Sequence, residues 1–178
     1  FNDWVNGDLT ALTDEEKRGA VLFYTPIDQG GAGCSECHSG DFFTDEEMHV
    51  IGSIQIGVGK GNGDNGTDDF GRELLSGDPA DRYKYRTSSL LNISTTGPYF
   101  HAGSYDTLEE VVAHYSNPLV AMNQWFDRGG VCNLAQFREV ANCANLYPDA
   151  RQNTQLALDV IANNQDAQGS RFQNANIT

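Results

Sequence analysis

The chain has 178 residues, with 11 Lys and Arg against 25 Asp and Glu, a formal net charge of −14. So acidic a surface repels nucleic acid and anionic membrane, and would instead steer in a basic protein partner. A mean hydropathy of −0.48, with no apolar run near the ~18 residues of a span, argues against membrane insertion.

The chain opens at Phe1, without an initiator methionine or a signal peptide, and reads as a mature or trimmed product. Its length suits one domain, but 19 Gly amid many Asn and Asp mean much loop, so a bound group is expected to supply part of the core. "LTDEEKRGAVLFY" (12–24) predicts a helix, with Thr13 as N-cap and Glu16 completing a capping box. Gly19, Leu22 and Phe23 share one face, and Gly19 is expected to admit a close helix crossing. Gly30, Gly31 and Gly33 then lead into "CSECHSG" (34–40). Cys34, Cys37 and His38 form C-x-x-C-H, the spacing that attaches a c-type haem covalently. Each thiol adds to one vinyl group, and the histidine lands on one axial face of the iron. A thioredoxin-type pair would follow a strand and would not need the histidine, whereas "TPIDQGGAG" reads as loop. A zinc knuckle needs a second pair at ligand spacing, which Cys132 and Cys143 do not supply.

Residues 51–84 are Gly- and Asp-rich with no helical or strand period, and are expected to form a long ordered loop wrapped on the haem. "YDTLEEVVAHYSNP" (105–118) predicts a second helix, capped by Thr107, with Glu109 and Glu110 at the positive end of its dipole. Leu108, Val111, Val112 and Tyr115 lie on one apolar face, which points Tyr115 inward and turns His114 to the flank. Pro118 is expected to stop helix there, leaving Met122 in a loop. "LAQFREVANC" and "NTQLALDVIANN" are weaker helical segments, and the polar tail 165–178 is expected to be loosely ordered. Cys132 and Cys143 read as a disulfide, which suits an oxidising compartment. Along a straight helix they would stand about 16 Å apart, beyond the roughly 7 Å a disulfide spans, so the segment must bend if they pair. The alternative is two free buried thiols. Residues 1–178 thus read as a single mainly α, cytochrome c-like helical domain with long haem-wrapping loops.

Opposite His38 the candidate iron ligands are Met48, His49, His101, His114, Tyr115 and Met122. Met48 and His49 lie too near the attachment site to swing round the ring. Met ligation is common in electron-transfer cytochromes, which favours Met122. His101 stands in "GPYFHAGSY", an aromatic, Gly-rich turn able to approach a haem, and Tyr115 faces inward but equally suits plain core. Trp125 reads as packing, with electron relay as the alternative.

"LTDEEKRGAVLF", "CSECHSGDFFTD", "GKGNG", "DDFGRE" and "RYKYRTSSLLNISTTGPYFHAGSYDTLEEVVAHY" closely resemble the C-terminal haem domain of bacterial dihaem cytochrome c peroxidases and MauG-type enzymes, from about Leu12 to Tyr115. The resemblance implies one covalent haem c, ligated by His38 and, in the MauG manner, by Tyr115 rather than Met122. It places His101 near the haem between two domains, as the tentative catalytic residue. It makes the carbonyls of Thr96 and Pro98 ligands of a calcium ion shared with another domain. Arg86 heads a stretch in which Ser88 and Leu91 stand where the family has Pro and a second Arg; Lys60, Arg72 or Lys84 could replace that charge. The family carries two C-x-x-C-H motifs and this chain one, so the implied partners are a second haem domain or subunit, a small redox protein as donor and hydrogen peroxide as oxidant. The implied function is the electron-transfer half of a peroxidase-type oxidoreductase in the periplasm or outside the cell, with weak peroxidase activity of its own. The competing class is a non-enzymatic monohaem cytochrome inside a larger redox complex.

Overall fold

The computed structural model describes residues 1–163, so the tail 165–178 lies outside the described residues. The fold is mainly helical, with one small two-stranded sheet. A single helical turn, α1 (Asn2–Val5), precedes α2 (Asp14–Tyr24). The capping box of α2 forms as read: Thr13 Oγ1 accepts the Glu16 N–H at 3.2 Å, and Glu16 Oε2 accepts the Thr13 N–H at 2.7 Å. The close crossing expected at Gly19 is not made, because no atom lies within 4 Å of where its Cβ would stand. After α2 the chain folds back tightly. A Cβ on Gly31 would collide with the Thr25 backbone, so only glycine lets this return approach so closely. The return delivers the 3₁₀ turn Cys34–Glu36.

β1 (Met48–Val50) pairs antiparallel with β2 (Lys84–Arg86), in the register His49↔Tyr85. Between them residues 51–84 are ordered, as expected, but they do not stay on the surface. Gly52, Ser53, Ile54 and Gln55 run buried through the core, and Asp68, 1% exposed, accepts the Tyr83 hydroxyl at 2.6 Å. α3 (Glu73–Ser76) is too short to leave a period in the sequence.

α4 (Leu108–Ser116) carries a second capping box at Thr107. Pro118 does not end helical structure, as the sequence reading held; it opens α5 (Pro118–Asp127). Proline suits the first helical position because its missing N–H has no partner to lose there. Asn117 accepts the Val120 N–H at 3.0 Å and caps the new helix. Met122 therefore lies on a helix, 2% exposed. "LAQFREVANC" is not a helix: 3₁₀ turns at Gly130–Asn133 and Cys143–Asn145 bend the segment, and a Cys132–Cys143 disulfide holds their Cα atoms 5.2 Å apart. α6 (Ala150–Asn163) confirms the last helical segment.

The apolar core gathers Val50, Ile54, Tyr105, Met122, Trp125 and Leu158 with their neighbours, all from residues 50–161. Among residues 1–47 only Gly33 is buried. That N-terminal layer is instead knit by aromatic contacts: Phe1 stacks on Tyr24 at 6.1 Å and meets Phe43 edge-on at 5.8 Å. No helix among the described residues is long and apolar enough to cross a membrane.

Candidate haem site

The C-x-x-C-H turn is closed by its own backbone, the His38 N–H reaching the Cys34 carbonyl at 2.9 Å. Cys34 and Cys37 are free thiols, both partly buried. Burial raises the Cys34 pKa, and burial followed by the charges of Asp45 and Cys34 pushes Cys37 up to about 11. His38 Nδ1 stands 3.0 Å from the Phe43 carbonyl. A carbonyl only accepts, so Nδ1 carries the proton and Nε2 keeps its lone pair for a metal. Phe43 presents that carbonyl from a left-handed backbone, φ 53°, rare for a bulky residue.

Tyr115 lies across from this turn. Burial raises its pKa, with the charges of Cys37 and then Cys34 adding to the push, so both motif sulfurs act on the phenol oxygen. The C-x-x-C-H turn thus offers two thiols and one imidazole nitrogen with a free lone pair, and α4 offers one phenol. This is the donor set a covalent haem c takes, with Tyr as an accepted axial ligand.

The other candidates fall elsewhere. His114 is not on the flank, as its phase on α4 suggested, but fully buried at 0% exposure. Its Nε2–H donates to the Ile51 carbonyl at 2.7 Å and its Nδ1 accepts from the Tyr105 hydroxyl at 2.8 Å. Both nitrogens are used, and burial lowers its pKa to about 4. Met122 packs in the apolar core with Trp125, whose indole N–H donates to the Ser104 carbonyl at 2.7 Å. Met48 lies on β1. His49 Nε2 bonds Asp45 Oδ2 at 2.7 Å, and the two stand with Cys37 in a cluster whose ligand atoms lie within 4.8 Å of one another. Nothing in the sequence reading singled out Asp45, although its i,i+4 spacing to His49 was there to see.

His101 is exposed, stacks on Tyr85 at 3.9 Å and bonds Asp69 Oδ2 at 3.0 Å. Thr96 and Pro98 lie on an exposed turn that contains a cis Gly97–Pro98 bond. Arg86 pairs with Glu46 at 3.1 Å. Of the three cations named as replacements, Arg72 and Lys84 both bond Asp81, and Lys60 makes no side-chain ion pair among the described residues.

No protein-family profile matches the chain. Individual proteins do. It is 34% identical over 134 residues to the cytochrome-c peroxidase IdrP2 of Pseudomonas sp. (strain SCT), covering 65% of this chain and 35% of that protein. It is 37% identical over 115 residues to the methylamine utilization protein MauG of Methylorubrum extorquens, covering 65% and 29%. Over that stretch the chain belongs to the cytochrome c peroxidase and MauG-like family. The crystal structure of a MauG-like protein associated with microbial copper homeostasis superposes at a TM-score of 0.52 and 34% identity, over 64% of this chain and 33% of that one. The chain spans about a third of the length of these family members.

Proposed function

We propose that this chain is a c-type haem electron-transfer domain of a dihaem cytochrome c peroxidase or MauG-like oxidoreductase, corresponding to the C-terminal haem domain. Cys34 and Cys37 would hold the haem through thioethers, with His38 Nε2 and the Tyr115 oxygen as the donors toward its iron. The bound haem supplies one-electron redox chemistry. The observation that carries the reading is the C-x-x-C-H turn in which the Phe43 carbonyl holds His38 Nδ1–H and leaves Nε2 free for a metal.

The protein's own part is to hold and tune. The Phe43 carbonyl orients the imidazole and makes its Nε2 more basic. An ionised Tyr115 would offer a hard anionic oxygen, which favours an oxidised metal and a lower potential than a Met ligand gives. Peroxide chemistry would belong to a second haem, on another domain or subunit. His101 and its Asp69 partner lie on the exposed surface available to that second unit, and the Thr96 and Pro98 carbonyls offer it a shared calcium ion. A small redox protein supplies electrons, and an exported, periplasmic location fits both the covalent haem and the disulfide.

The test is spectroscopic. Tyr115→Phe should turn the ferric spectrum of the haem-loaded chain from six-coordinate to high-spin, and Met122→Leu should leave it unchanged; the reverse result gives the ligand to Met122. Mixed with peroxide and a reduced donor, the chain alone should turn over slowly. Fast turnover overturns the electron-side role, and a native preparation with no second haem favours a free-standing electron-transfer cytochrome.

A further inference from the structure

His114 has no place among the ligands, yet it is the most completely enclosed ionisable side chain of α4. Burying an imidazole costs free energy unless both nitrogens are satisfied, and here both are, by partners far apart in the chain. Nε2–H reaches the Ile51 carbonyl, 63 residues earlier, at 2.7 Å, and Nδ1 accepts the Tyr105 hydroxyl at 2.8 Å. A leucine would fill the same space without the desolvation cost but would leave α4 free to rotate. Directional bonds on a rigid ring allow one rotation only.

The next residue is Tyr115, and one ring joins the two. Phe100 lies 4.5 Å from the His114 ring, edge to face, and 5.5 Å from the Tyr115 ring. It also meets Tyr105 at 5.0 Å, so one ring touches Tyr105, His114 and Tyr115 alike. Phe100 holds this place at φ 69°, a conformation that persists only where the surroundings over-determine it. We propose that His114, acting through α4 and the Phe100 ring, is the positioning residue that aims Tyr115 at the Cys34–His38 turn. The inference rests on the reading of Tyr115 as an axial ligand and adds what keeps it there.

The experiment uses the haem-loaded chain and reads the ferric absorption and electron paramagnetic resonance spectra beside the melting temperature. His114→Phe keeps a planar aromatic ring, somewhat larger, and removes both bonds. It should raise the high-spin fraction roughly tenfold, the factor that one or two lost hydrogen bonds set free in an equilibrium. His114→Gln, which restores one donor and one acceptor, should recover most of the six-coordinate signal. Tyr105→Phe removes only the hydroxyl that Nδ1 accepts and should shift the signal the same way by less; it decides the matter if His114→Phe does not fold. A lowered melting temperature with an unchanged ferric spectrum overturns the proposal. Tyr115→Phe, run in parallel, separates the two levels: if it leaves the spectrum unchanged, the ligand reading fails and this inference falls with it. If Tyr115→Phe shifts the spectrum and the His114 and Tyr105 variants do not, only the positioning role fails.

Discussion

Phe43 and Phe100 share an oddity: each is a bulky residue at positive φ, 53° and 69°, which costs on the order of 1–3 kcal/mol apiece. One presents its carbonyl to His38 and the other its ring to Tyr115, so these two strained residues lie behind the side chains assigned to the iron, while a third, Tyr83 at φ 59°, serves the core. Such strain leaves no mark in a sequence, where a phenylalanine at positive φ looks like any other. His114 was missed for a related reason. Periodicity ranks faces by apolarity, whereas its burial is decided by a carbonyl 63 residues away. Ionic positioning at this scale can be read out by pH. Asp81 accepts bonds from Lys84 and Arg72, and the hydrogen bond from Lys84 leads the causes that hold its carboxyl down to about 2, from an ordinary 3.8. A depressed folded-state pKa means stability that is present above pH 3.8 and lost as pH falls towards 2, because the unfolded chain takes the proton first. Asp81→Asn should therefore be less stable than the parent at neutral pH in urea melts, with the difference closing between pH 4 and 2. A gap that persists at pH 2 would assign Asp81 a role other than its charge.

Elements were legible where a local rule suffices. Thr13 announced α2 through a capping box and Thr107 announced α4 as its N-cap; both caps form, and the structure adds a capping box at Thr107 as well. Rules that compete were harder. Pro118 ends α4 and begins α5, and the same residue signals both; the Asn117 side chain bonded to Val120 decides for a new start. "LAQFREVANC" has helical composition, but the disulfide geometry and a straight helix exclude each other, and the covalent constraint won. If that bridge rather than local propensity shapes 130–149, removing it has a predictable cost. Closing a loop of this size is worth about 3 kcal/mol through the unfolded state. The double variant Cys132→Ser, Cys143→Ser should lose that much in chemical denaturation. Its helicity by far-ultraviolet circular dichroism should hold or rise as the freed segment follows its propensity. A loss well under 1 kcal/mol would show that the surrounding packing fixes the loop unaided.

At the scale of the whole molecule, the motif was readable because its spacing is dictated by covalent chemistry, and the core was not, because it is split unevenly. The buried apolar cluster is built by α5, α6 and residues 50–54, together with Tyr83, Tyr105, Val131 and Leu134. The layer of residues 1–47 that carries Cys34, Cys37 and His38 buries only Gly33 and rests on aromatic contacts. Stability must then be unequal, and a covalent haem between the two parts would tie the weaker to the stronger. A group bound at a hundredfold over its dissociation constant adds about 2.7 kcal/mol to the state that holds it. Amide hydrogen exchange on the haem-loaded chain and on the Cys34→Ala, Cys37→Ala variant should differ accordingly. Protection in α2 and in residues 34–47 should fall about a hundredfold in the variant, while protection in α4, α5 and α6 stays near the global value. Equal losses in both layers would mean that the chain opens as one unit. No loss in α2 would mean that its aromatic contacts hold it without the haem.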